Sequence, residues 1–116
     1  MEELDPGSAL ASNDLFALFK LQLKKDFESV AVSSAFVDEL PIELEALKQS
    51  LVSALRPLQQ SNANLLMGLL YRIDISETQL KNYHRSHPGL DFEEQLAELI
   101  IKRVLQKVIL KKKFSE

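Results

Sequence analysis

The stretch DFEEQLAELIIKRVLQKVILKKKF, residues 91–114, decides the fold. It reads as one long helix whose apolar face changes sides halfway along. At about 100° per residue, Phe92, Leu96, Leu99 and Ile100 point one way, while Ile101, Val104, Leu105, Val108 and Ile109 point nearly the opposite way. A helix that covers one core needs one apolar stripe; this one needs partners on two sides. At ~1.5 Å per residue the helix runs roughly 33 Å, about the width of a domain of this size. One half can therefore cover its own core while the other meets a second molecule, most simply a copy related by a twofold axis. The expected interface is Ile101, Val104, Leu105, Val108 and Ile109. The competing reading is that an upstream helix wraps around and covers this stripe within the monomer.

Upstream of that helix, Asp91 is its expected cap, and Ser86-His87-Pro88-Gly89 ends the segment before it. Ile75-Ser76-Glu77-Thr78-Gln79-Leu80 is the sharpest local signal in the chain: Ser76 and Gln79 form a capping box, flanked by Ile75 and Leu80 at hydrophobic-staple positions. Leu65-Leu66-Met67-Gly68-Leu69-Leu70 is apolar all round and is expected at the centre of the fold, with Gly68 admitting a close neighbour. Leu44, Leu47, Leu51, Ala54 and Leu58 follow a seam of coiled-coil type, which Pro57 should interrupt near Leu55. Residues 30–40 read as a loop. Phe16, Phe19, Leu23, Phe27 and Val30 form the core face of a helix capped by Ser12 or Asn13, with Lys20, Gln22, Lys24, Lys25 and Glu28 on its other face. Residues 1–12 read as a flexible arm, leaving 13–116 as a single helical domain. The expectation is an all-α, compact bundle of about five helices, at 13–32, 41–56, 62–73, 77–86 and 92–112, closing on the long C-terminal helix.

Composition removes several classes of chemistry. The chain has no cysteine, which excludes disulfides and thiolate sites. No apolar run approaches the ~18–20 residues of a membrane span, and the start, Met1-Glu-Glu-Leu-Asp-Pro, is acidic where a secretory signal is basic. These features predict a cytoplasmic protein without membrane association. A net charge of −3 argues against bulk attraction to nucleic acid.

Motifs for catalysis are missing. Three glycines, at 7, 68 and 89, make no phosphate loop, and there is neither a nucleophile elbow nor a His-Glu-x-x-His pair. His84 and His87 lie at helical spacing but find no third histidine to complete a metal site, and their place at a helix end is explained by the dipole. Tyr71 and Arg72 follow the apolar centre and form a candidate polar anchor, either paired with Asp74 or available to a partner. Lys107, Lys111, Lys112 and Lys113 form a candidate anion-binding end, although helix-dipole complementation accounts for their order as well. The sequence therefore predicts a non-enzymatic interaction module without cofactor or metal. Its expected partner is a second copy in a homodimer, or an unidentified protein. Local anion or nucleic-acid binding at the basic end is the alternative.

Overall fold

Each helix begins where a polar side chain can accept the free N–H groups of the first turn. The structure is a computed structural model that describes residues 5–30 and 32–115, with side chains through residue 113. Asp5 accepts from Gly7 N at 3.2 Å to start α1 (Pro6–Leu10), and Ser12 accepts from Leu15 N to start α2 (Asn13–Ser29). A 3-10 turn, Ala35–Glu39, leads to α3 (Leu44–Ser61), whose N-cap Glu43 accepts from Glu45 N and Ala46 N. Asn62 caps α4 (Ala63–Ile73), the capping box of Ser76 and Gln79 opens α5 (Glu77–Ser86), and Asp91 accepts from Glu94 N at 2.9 Å to open α6 (Phe92–Ser115). Asp74 ends α4 in the left-handed region at φ 75°, a conformation Asp tolerates better than most side chains. Among the described residues the fold is all-helical, a compact bundle that ends in a long helix.

Helix α6 is the axis of the bundle. It packs against each of the other five helices. Polar contacts show how the sides are divided. Its N-terminal half is tied to α3 through Lys48–Glu98 at 3.1 Å and Arg56–Glu93 at 4.0 Å. Its C-terminal half is tied to α2 through Lys107–Asp26 at 2.9 Å and Lys111–Gln22. The change of apolar face is thus satisfied within one protomer. Ile101, Val104, Leu105 and Val108 are buried and Ile109 is half-buried, so the stripe expected to meet another molecule is already covered. The radius of gyration, 13.6 Å, matches the ~13.4 Å of a closed domain of this length.

Several expectations change with this arrangement. Part of the expected flexible arm, Pro6–Leu10, is a helix, and it delivers Leu10 fully into the core; residues 1–4 lie outside the described residues, as does the Phe114 side chain. The segment read as a loop holds the 3-10 turn, which buries Val37, and Leu40 is buried directly after it, while residue 31 lies outside the described residues. Pro57 does not break α3. The Ser53 carbonyl, which loses its partner to the proline, belongs to an exposed residue, and Ser61 Oγ donates to the Pro57 carbonyl at 2.7 Å. The buried stripe of α3 is Leu47, Lys48, Leu51, Val52 and Leu55, with Leu44, Ala54 and Leu58 at its edges. The apolar α4 is not the centre, because Met67 stays exposed while Leu66, Leu69 and Leu70 point inward. Phe92 is likewise exposed, and Gln22 is buried instead of facing outward.

Two outcomes follow from this packing. Leu105→Ala should cost about 2–5 kcal/mol, the range for emptying a fully buried leucine site, measured by chemical denaturation; a change within error would mean the stripe is not core. Gly68 is not held by a close neighbour, since a Cβ there would meet only Val30 Cγ1 at an ordinary 3.6 Å. Gly68→Ala should therefore stabilise the fold by about 0.5–1 kcal/mol through helix propensity, read as a raised Tm.

Candidate interaction surface

Two clusters of charge are consumed in fixing α6. Asp26 on α2 is completely buried and is met by Lys107 Nζ at 2.9 Å, Gln22 Nε2 at 3.0 Å and the more distant Arg72 Nε at 3.7 Å. Arg72 therefore pairs with Asp26 and not with Asp74, which is taken by Arg103 at 2.8 Å. A buried carboxylate persists only when cations and donors surround it. Nothing in the local sequence around Asp26 signals its two cations, because Arg72 comes from α4 and Lys107 from α6.

The second cluster surrounds Lys48 on α3, a lysine buried among Glu45 at 3.3 Å, Glu94 at 3.6 Å and Glu98 at 3.1 Å. Tyr83 Oη donates to Glu98, His87 stacks on the Tyr83 ring at 3.9 Å, and Lys102 Nζ lies over the same ring at 5.1 Å. Burial pushes the Glu98 carboxyl up, but hydrogen bonds from Tyr83 and Lys48, with the charges of Lys48 and His87, outweigh it and hold it below the ordinary range. Burial lowers Lys48, while Glu98 and Glu45 more than offset that and leave it raised. Burial, then the bond to Glu98 and its charge, pushes the Tyr83 hydroxyl well up. A hollow of about 250 Å³ lies over this cluster, but its polar groups are already paired with one another. Lys48 was detectable in principle, because it sits inside the angular stripe of Leu44, Leu51, Val52 and Leu55.

The histidines serve the turn between α5 and α6. The buried Gln95 side chain donates to Leu90 O at 2.9 Å and His87 O at 3.2 Å, and its amide also meets His84 Nδ1. His87 Nδ1 lies 3.1 Å from Tyr83 O. Among the described residues no three His, Asp or Glu side chains come together as metal ligands.

Of the candidate anion-binding lysines, Lys107 and Lys111 turn inward to Asp26 and Gln22, while Lys112 and Lys113 stay exposed. They do not form one outward patch. Tyr71 of the candidate polar anchor is 88% exposed and stands beside Met67 at a hollow completed by Ile75 and Leu80.

The surface that sequence reasoning missed is the outer side of α2. Leu18 is 38% and Leu21 53% exposed. With Val108 and Lys112 of α6 they line an open hollow of about 350 Å³, flanked by Lys25. The phenylalanine stripe dominates the helical pattern of α2 and marks the core side, so its second and smaller apolar face reads as incidental until α6 is placed beside it. Comparison with models of known protein families, with curated proteins and with solved structures finds no match to this chain. No helix among the described residues is long and apolar enough to cross a membrane.

The charge cluster predicts a pH signature. Because its folded pKa is depressed, Glu98 contributes fully above the unfolded value of about 4.3, and that contribution is lost as pH falls through the lower folded value. Lys48, with its raised pKa, contributes fully below about 10.4 and loses this only as pH rises through the folded value. Glu98→Gln should cost about 1–3 kcal/mol at neutral pH, and its gap to wild type should narrow below pH ~4. A gap by urea denaturation that is constant down to pH ~3 would contradict the network.

Proposed function

We propose that the chain is a non-enzymatic helical interaction module that docks a protein on the outer side of α2, beside the C-terminal end of α6. The observation that carries this reading is the pair Leu18 and Leu21, exposed on adjacent turns of a helix whose other side is already committed to the core. Exposed leucines standing singly are ordinary, but two that share a hollow with a second helix give an apolar centre with a charged rim, the layout of a docking site. The polar clusters of the molecule support the same reading, since Asp26, Lys48, Glu98 and Tyr83 are each engaged in holding α6. Tyr71 favours a second contact of the same kind, because a tyrosine this exposed beside Met67 suits an interface anchor.

The test compares immobilised wild type with the variant Leu18→Glu/Leu21→Glu in capture of proteins, including further copies of the chain. Both positions are exposed, so the variant should keep its stability within about 0.5 kcal/mol and lose what wild type retains. Equal retention by both, or none by either, would overturn the reading. Tyr71→Ala in the same assay reports on the second contact.

A further inference from the structure

We infer that the partner of the α2 surface is a second copy of this chain, docked with the two α2 helices antiparallel about a twofold axis that passes level with the midpoint of Leu18 and Leu21. The inference rests on the interaction-module reading and names its partner. The outward stripe of α2 runs Asp14, Leu18, Leu21, Lys25 at spacings of four, three and four, all exposed or on the exposed side. At about 100° per residue these four positions fall within roughly 60° of one another. The spacing is symmetric, and the chemistry along it is self-complementary. In an antiparallel pair centred between Leu18 and Leu21, Leu18 of one protomer comes level with Leu21 of the other, and Asp14 comes level with Lys25 of the other. Each twofold contact is thus generated twice, as an isologous interface requires.

Charge selects this occupant over a uniformly acidic or basic helix. The outer side of α2 carries both signs, with Asp14 and Glu28 against Lys25, so a partner of a single sign meets a like charge at one end or the other. A second copy meets an opposite charge at both ends. In a parallel arrangement Asp14 would face Asp14 and Lys25 would face Lys25, and the pairing would be repelled. With two leucines per face the contact lies at the small end of specific interfaces, below about 1,200 Å² in total, so the dimer is a concentration-dependent one.

Sedimentation of the whole chain at low salt, from ~10 μM to ~1 mM, tests this directly. Wild type should move from monomer towards dimer over that range. Asp14→Lys and Lys25→Asp should each weaken association by at least about tenfold, and the two together should restore it, with circular dichroism unchanged throughout. As a second readout, the chain has no cysteine of its own, so Asp14→Cys mixed with Lys25→Cys should form a disulfide on oxidation. Neither variant alone should do so, since like positions lie ~16 Å apart along the helix. A wild type that stays monomeric throughout overturns the inference, and so does a dimer that ignores the single reversals or is not rescued by the double one. Loss of capture by Leu18→Glu/Leu21→Glu in spite of either result leaves the interaction-module reading standing with a different partner; equal capture removes both.

Discussion

A helix that is apolar on two opposite sides has to be covered on both, and the rest of this molecule is arranged around that requirement. Helix α6 packs against every other helix, with α3 tied to its first half and α2 to its second. At ~25 cal/mol per Å² of apolar surface removed from water, leaving Ile101, Val104, Leu105 and Val108 exposed would forfeit a large part of the stabilisation open to a domain this small. A bundle with α6 at its centre avoids that loss without recruiting a second molecule. The short α1 and the 3-10 turn then close remaining gaps by supplying Leu10, Val37 and Leu40.

The charges follow from the same geometry. Where α6 meets α3 and α2, a buried ionic group is matched across the seam: Lys48 against Glu94 and Glu98 on one side, Asp26 against Lys107 on the other. Such pairs add little net stability because desolvation offsets attraction. They penalise alternatives, since a helix rotated or slipped by one turn would strand a buried charge. They also remove these groups from the surface, which is why half of the lysines that look like an anion-binding end in the sequence turn inward. Among the described residues the fold leaves outward one side of α2, the ledge at Tyr71 and Met67, the separate side chains of Ile42, Phe92 and Leu110, and the open hollow over the Lys48 cluster.

The candidate surface was less legible than the fold because exposure is a property of neighbours. Leu18 and Leu21 have the same local character as Leu23, yet Leu23 is fully buried and the other two are not. Ile101, Val104 and Leu105 were legible as an apolar stripe, but the sequence does not say whether the cover comes from the same chain. Gln22 and Lys48 are polar residues on stretches that otherwise read by type, and their burial depends on partners 89 and 50 residues away in the chain.

The sequence by itself determined the all-helical class, the capping box at Ser76 and Gln79, the Asp91 cap, the core face of α2 and the need of α6 for two partners. These are short-range matters: capping joins groups three residues apart, and a helical stripe is visible in any window of a few turns. Only the tertiary structure decided that both partners of α6 lie in the same protomer, that α3 runs on through Pro57, and that α2 keeps a second apolar face open. Those outcomes depend on which distant segments arrive at each surface. That information resides in the packing of the whole chain, where one burial is gained against another and no local pattern records the result.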